Sequence, residues 1–219
     1  MDWAPLLLSF EVATVATIFA AVLGVALATL LAWPRMAARN LVDAISTAPM
    51  VMPPTVLGYY VLVALGRHSP IGQAWESLTG SSIVFTRTGA VVAATIGSLP
   101  LVIKSARAAL EGVEPTLIRA ARTLGATPTR AFFTVHLPLA APGVVAGLML
   151  AFARALGDFG VTLMVAGDIP GETQTAALAI YDFIQEHQEA RAAGMIAVLT
   201  STTIVALYAV NRLTRSARD

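Results

Sequence analysis

Long apolar runs separated by short polar segments dominate the chain. A helix needs about 20 apolar residues to cross the hydrocarbon core of a bilayer. Five runs meet this requirement: 10–33, 44–66, 89–110, 137–157 and 192–212. Their few charges, such as Glu11 and Lys104, lie near the ends, where a long side chain can reach the headgroups. The pattern predicts an all-α membrane protein, one transmembrane domain over residues 1–219 with about five spanning helices per subunit.

The first run has a second interpretation, a cleaved secretory signal. Such a signal needs a basic start, a shorter apolar core and a small-residue cleavage site. The residues before the run contain Asp2 and no base, and the run is longer than a signal core. We therefore expect it to be retained as a span.

The segment 111–136 between the third and fourth spans is predicted to form two short helices. Pro115 suits the first position of a helix, Gly125 can end it in a left-handed cap, and Thr127 followed by Pro128 can cap and start the next. On the first helix an apolar face opposes a polar one. The apolar face holds Leu117, Ala120, Ala121 and Leu124, and the polar face holds Arg119, Arg122 and Thr123.

The loop 158–191 follows the fourth span. Its apolar start, 159–167, is too short to cross a bilayer, so it either extends the fourth helix or forms a re-entrant piece. The turn-rich stretch 167–175 leads into an amphipathic segment in which Ile180, Phe183 and Ile184 oppose acidic residues. We expect a surface helix there.

Composition supports the membrane assignment, and the distribution of charge gives the orientation. The chain is 57% hydrophobic and 12% charged, with a mean hydropathy of +0.75 and a net charge of only +1. If the amino terminus is outside and the carboxyl terminus cytoplasmic, 111–136 is cytoplasmic, 158–191 is external, and most of the 14 bases obey the positive-inside rule. The bases then on the cytoplasmic side are Arg35, Arg39, Lys104, Arg107, Arg119, Arg122, Arg130, Arg212, Arg215 and Arg218.

Residue patterns that support catalysis are missing. A P-loop needs a Gly-Lys pair, and the single lysine, Lys104, follows Ile103. There is no cysteine, the three histidines are scattered, and no G-x-S-x-G elbow occurs. We expect no catalytic residue, metal or cofactor in this chain, and no nucleic-acid partner.

Arg154 and Asp158 are ionisable residues near the external end of the fourth span. Their spacing of four places them on one helix face, where they can pair. The arginine is either a lure for an anion in a transport path or one half of a structural ion pair.

The segment around 119–138 resembles the EAA loop of ABC-importer permeases. The matching positions are Ala120-Ala121, Gly125, Val135 and Leu137-Pro138, while Arg119 stands where the family has glutamate. The resemblance implies a type I ABC importer fold in which this loop docks in a groove of an ATPase. The residues assigned to coupling are Arg119, Ala120, Ala121, Leu124, Gly125, Thr127, Pro128, Leu137 and Pro138.

Four further stretches, 49–73, 109–126, 152–160 and 167–175, are similar to the molybdate permease family. That resemblance implies a permease subunit of an ATP-driven oxyanion importer in a bacterial or archaeal cytoplasmic membrane. Molybdate is the expected substrate, with tungstate, sulfate or thiosulfate as alternatives. The implied partners are a second copy of the chain, an ABC ATPase dimer carrying ATP and Mg²⁺, an external substrate-binding protein and membrane lipid.

A dianion crossing the membrane needs polar groups to replace its water. Candidates are the hydroxyl and backbone groups at the breaks of the second span, Pro53, Pro54, Thr55 and Gly58, together with Arg154 and Asp158. Alternatively, the residues of the second span only kink and pack a helix.

Two other functions and a structural role for the loop 111–136 remain as alternatives. A secondary transporter or channel predicts intramembrane acids or inverted repeats, and a membrane enzyme predicts clustered His, Asp, Glu or Cys. The sequence contains neither pattern. As a structural alternative, the loop 111–136 only braces the third and fourth spans.

Overall fold

The structure, a computed structural model, describes residues 3–32 and 38–216, with side chains to residue 212. Every regular element in these ranges is a helix, which confirms the predicted class. The elements are α1 (Ala4–Ala32), α2 (Arg39–Val51), α3 (Pro54–Leu65), α4 (Pro70–Thr79), α5 (Arg87–Glu111), α6 (Pro115–Thr123), α7 (Pro128–Ala131), a π-helical segment (Phe132–His136), α8 (Leu137–Leu156), α9 (Gly160–Ala166), α10 (Ala176–Gln185) and α11 (Glu189–Ser216).

Within the described ranges, four helices are long and apolar enough to cross a membrane, and a bent pair supplies a fifth span at most. The four are α1, α5, the continuous Pro128–Leu156 and α11 up to Arg212.

The second predicted span, 44–66, is not one straight helix. Helices α2 and α3 meet at an angle of 117°. Met52 and Pro53 are extended (ψ of 143° and 132°) because each precedes a proline, which disfavours helical backbone, and Pro54 then starts α3.

Helix α5 lies at the centre of the helix packing, against α1, α2, α8 and α9. Small residues let its neighbours approach closely, as is common between membrane helices. A Cβ added to Gly143 of α8 would lie 2.6 Å from Ala109 Cβ, and one added to Gly147 would lie 2.5 Å from Ser105 Cβ. The backbones of α5 and α8 are therefore nearly in contact at these glycines.

An ion-pair cluster joins α2 to the end of α5. Lys104 Nζ lies 3.0 Å from Asp43 Oδ1, and Arg107 Nη1 lies 3.2 Å from Asp43 Oδ2. Arg39 and Arg107 both reach Glu111 Oε1, at 2.6 and 2.9 Å. Lys104, predicted to lie near a span end where its side chain can reach the headgroups, also has Asp43 as an ion-pair partner.

The predicted surface helix after residue 175 forms as α10. It buries Ala176 and Ala179 against Leu6 of α1 and Met195 of α11, and it turns Tyr181 and Ile184 outward. Two bases of the orientation argument, Arg35 and Arg218, lie outside the described residues, and the side chain of Arg215 is not described.

Candidate functional site

A bent elbow, residues 115–131, lies between α5 and α8. Pro115 begins α6 as predicted, and Gly125 follows its end in the left-handed region with φ of 88°. Gly125 N donates to Arg122 O and Ala126 N to Ala121 O, both at 3.1 Å, which is the Schellman arrangement. Thr127 Oγ1 accepts from Arg130 N at 3.2 Å and caps α7. The predicted caps of both helices are confirmed.

The surface of the elbow is open. Helix α6 has no buried residue, Ala120 is exposed, Ala121 is half-buried, and Leu124 at the bend is 88% exposed. A cleft of about 410 Å³ lies between the two short helices. Its lining residues are Arg119, Arg122, Thr123, Ala126 and Pro128.

The second short helix of the elbow is not separate from the fourth span. Helix α7 continues through the π-helical segment into α8, and Leu137 N donates to Phe132 O, five residues back. Pro138 has no N–H, and a proline ring crowds the carbonyl four residues earlier, so a local widening before Pro138 is expected. The helix that contains the predicted span 137–157 therefore begins at Pro128, within the elbow.

Arg154 and Asp158 form the ion pair that their spacing predicts. Arg154 Nη1 donates to Asp158 Oδ1 at 2.8 Å; the arginine side chain is 38% exposed and that of the aspartate 2%. Asp158 Oδ2 accepts from Thr162 N at 3.0 Å and from Thr162 Oγ1 at 2.7 Å. The carboxylate therefore also satisfies the first turn of α9.

Helix α9 connects the two groups of candidate pathway residues. It is neither a continuation of α8, which ends before Gly157, nor a span by itself; it packs on α3. A Cβ on Gly160 would lie 2.7 Å from Pro54 Cβ, and one on Gly58 would lie 2.7 Å from Met164 Cβ.

The candidates in the second span separate by exposure. Gly58 is buried against α9, which fits the packing interpretation, whereas Pro53, Pro54 and Thr55 are exposed where α2 and α3 meet. Only the last three therefore present groups at the protein surface.

Removing the Asp158 carboxylate is expected to destabilise the protein. In Asp158→Ala the guanidinium of Arg154 loses its partner inside a span, and the Thr162 N–H at the start of α9 loses its acceptor. The expected loss is about 2 kcal/mol, below the cost of breaking a fully buried pair because Arg154 is partly exposed. Thermal unfolding in detergent, followed by tryptophan fluorescence, measures it. Asp158→Asn keeps a hydrogen-bond acceptor, so its unfolding midpoint should lie between those of wild type and Asp158→Ala. Equal midpoints for all three proteins would contradict the structural role of Asp158.

Asp168 and Asp182 form an acidic pair, with Asp168 in the loop after α9 and Asp182 on α10. Gln174 Nε2 donates to Asp182 Oδ2 at 2.8 Å, and Asp168 Oδ1 is buried without a hydrogen bond. Burial is the largest cause that raises the pKa of Asp168 to about 6; the neighbouring Asp182 carboxyl adds to this, while Gln174 acts in the opposite direction. The folded loop therefore binds a proton on Asp168 more tightly than the unfolded chain does.

This raised pKa predicts that the loop loses stability as the pH rises. The folded state binds more protons than the unfolded state between the ordinary pKa of 3.8 and about 6, so the stabilisation is complete at low pH and disappears as the pH passes through about 6. Amide hydrogen exchange of 168–182 should be slower at pH 5 than at pH 7.5 after correction for intrinsic exchange. Asp168→Asn should remove that difference; an unchanged difference would contradict the assignment to Asp168.

The sequence-based analysis did not identify the glycine contacts of α8 or this acidic pair. Gly143 and Gly147 form a small-xxx-small pattern, a signal for close helix packing that is readable from sequence. Nothing in the sequence indicates that Asp168 and Asp182 meet, because tertiary packing of α10 brings them together. Among residues 3–32 and 38–216 no three His, Cys, Asp or Glu side chains are grouped as a metal site would require.

Comparison with known proteins gives a consistent family assignment. The profile of the binding-protein-dependent transport system inner membrane component matches residues 20–218. The chain is 40% identical to the molybdenum transport system permease protein of Escherichia coli K12, covering 100% of this chain and 96% of that protein. The Haemophilus influenzae protein of the same name is 42% identical, covering 87% and 85%. The sulfate transport system permease protein of E. coli K12 is 32% identical, covering 92% and 72%.

A solved structure supports the fold. The chain is similar to one in an inward-facing structure of the MetNI methionine ABC transporter, with a TM-score of 0.73, 21% identity and coverage of 99% of this chain and 97% of that one.

Proposed function

Because the chain belongs to the family of binding-protein-dependent transport system inner membrane components, we propose that it is the permease subunit of an ATP-driven molybdate importer. The observation that carries the proposal is 40% identity over its whole length to a molybdenum permease. The 32% identity to a sulfate permease keeps sulfate, with tungstate and thiosulfate, as the alternative substrate class.

The translocation path is proposed to lie between two copies of the chain. The part of the chain that the structure describes supplies five spans at most, which is few to enclose a passage for a dianion. Removing the dianion's water without replacing it costs several kcal/mol or more. Pro53, Pro54 and Thr55 offer exposed groups at the α2–α3 break. The half-exposed Arg154 supplies positive charge, held in place by Asp158. A basic group this exposed within a span is better accommodated at a polar path or subunit interface than in lipid.

The elbow is proposed to transmit the work of ATP hydrolysis. ATP and Mg²⁺ are held by a separate ATPase dimer, since this sequence has no Gly-Lys phosphate loop. The exposed Ala120 and the half-buried Ala121 permit close approach of a groove, and Leu124 presents an apolar tip. Continuity of the elbow with α8 through Leu137 and Pro138 carries a displacement at the elbow into a span. This continuity favours transmission over a bracing role alone.

An external substrate-binding protein is proposed to deliver the oxyanion to the opposite side. The loop 158–191 contains an excess of acids over bases, and this charge disfavours capture of a free dianion by the permease alone. We propose accordingly that the amino terminus lies outside and the carboxyl terminus in the cytoplasm of a bacterial or archaeal cell.

Reconstitution tests the function directly. The chain is placed in proteoliposomes with its ATPase and binding protein, and uptake of radiolabelled molybdate is followed with and without ATP. We expect accumulation that requires all three components, with tungstate, sulfate and thiosulfate tested as competitors. Uptake that persists without the ATPase and collapses with an ionophore would instead identify a secondary transporter.

A further inference from the structure

Three arginines give the elbow an uncompensated positive charge. Arg119, Arg122 and Arg130 are all exposed, and none forms an ion pair with a residue that the structure describes. The nearest acid in sequence, Glu114, accepts a hydrogen bond from Thr116 Oγ1 at 2.6 Å. Elsewhere at this end of the molecule, bases are paired, as Arg107 is with Asp43 and Glu111.

Arg119 and Arg122 also form part of the cleft between α6 and α7. These arginines lie on the face of α6 opposite to Ala120 and Ala121, so a protein groove that encloses the elbow from both sides and fills the cleft removes water from Arg119 and Arg122 as well. An arginine desolvated at an interface without a carboxylate opposite it costs several kcal/mol, whereas a guanidinium–carboxylate pair in good geometry offsets that cost. A surface that covers these arginines is therefore expected to carry negative charge.

From this complementarity we infer that the ATPase groove receiving the elbow is acidic, with carboxylates placed to meet Arg119 and Arg122. The inference rests on the proposed function and adds to it the chemistry of the partner. An acidic groove also suits Arg119, which stands where the EAA pattern has glutamate.

An anionic lipid headgroup is the competing occupant. The elbow is capped at Gly125 and Thr127, and its cleft places the small residue Ala126 beside Arg119 and Arg122. Small residues favour close backbone approach by another protein, and headgroups do not require it. The cleft between two helices also suits a side chain entering from a partner.

The test uses the intact complex. The tagged chain is extracted from its host membranes with its ATPase bound, and the ATPase retained is measured as NaCl rises. We expect Arg119→Glu with Arg122→Glu to reduce retention roughly tenfold or more in low salt. Arg119→Lys with Arg122→Lys should retain the ATPase but release it at lower NaCl. The control Arg191→Glu, an exposed arginine at the start of α11, should behave as wild type.

Two outcomes overturn the inference. One is wild-type retention by the double glutamate variant at every salt concentration. The other is unchanged ATPase retention combined with loss of binding to phosphatidylglycerol but not phosphatidylcholine vesicles, which would assign the arginines to lipid. Suppressors of the glutamate variant that restore uptake should replace acids of the ATPase by neutral or basic residues. Failure of the proposed function is distinguishable, because then the wild-type chain retains no ATPase.

Discussion

Gly147→Leu is expected to prevent normal assembly of the helices. A Cβ at this position would already lie 2.5 Å from Ser105 Cβ, and leucine adds three further carbons between α8 and α5. Because α5 also packs against α1 and α9, pushing α8 away loosens several interfaces at once. We expect a loss of about 3 kcal/mol, at the upper end for overpacking, since backbone is fixed on both sides. The yield of monodisperse protein after extraction and its thermal midpoint measure this effect.

Two variants separate steric conflict from a general sensitivity of α8. Val145→Leu lies on the same helix, where the side chain is 41% exposed, and it should extract and unfold like wild type. Gly147→Ala should be moderately destabilised, and adding Ser105→Gly should restore much of the loss by removing the clashing carbon. A wild-type midpoint for Gly147→Leu would show that the helices are not in close contact.

Hydropathy predicted the long helices well where the need to satisfy backbone hydrogen bonds in a membrane is the dominant constraint. Within a membrane, a long and mostly apolar run must satisfy its backbone hydrogen bonds internally, which a helix does, so α1, α5 and α11 form over the predicted runs. The run 44–66 satisfied the same count but contains Pro53-Pro54, and these turn it by 117°. A proline pair predicts a break, but the angle depends on what α3 packs against, here α9.

Local chemistry also explains which parts of the site could be predicted. Caps at Gly125 and Thr127 use atoms a few residues apart, so the elbow is readable from sequence. The pairing of Arg154 with Asp158 follows from one turn of helix. The second role of Asp158, satisfying the start of α9, depends on a sharp turn after α8 that the apolar pattern of 159–167 does not specify.

Gly125→Leu is expected to reduce ATP-dependent uptake more than tenfold while leaving the spans folded. Its φ of 88° is a conformation that leucine adopts at a cost of roughly 1 kcal/mol or more. If residue 125 leaves this left-handed conformation, the hydrogen bonds of residues 125 and 126 to α6 break and the direction of α7 changes. The leucine side chain also projects into open space, where we propose that the ATPase groove closes. Ala121→Glu, which leaves the bend intact, should impair uptake by obstructing the same surface.

Gly80→Leu is the matched control for this prediction. Gly80 ends α4 with φ of 73°, it too has nothing within 4 Å of an added Cβ, and its N–H is bonded to Glu76 O, so the backbone cost is similar. It lies before α5, whereas Gly125 lies beyond the far end of that helix, so it should retain the ATPase fully. Equal ATPase retention and equal uptake by Gly125→Leu, Ala121→Glu and wild type would exclude the elbow as the coupling element. If only the two elbow variants lose ATPase retention and uptake, coupling is located at the small-residue bend. The control Gly80→Leu shares the backbone strain of Gly125→Leu but does not obstruct the surface of the elbow.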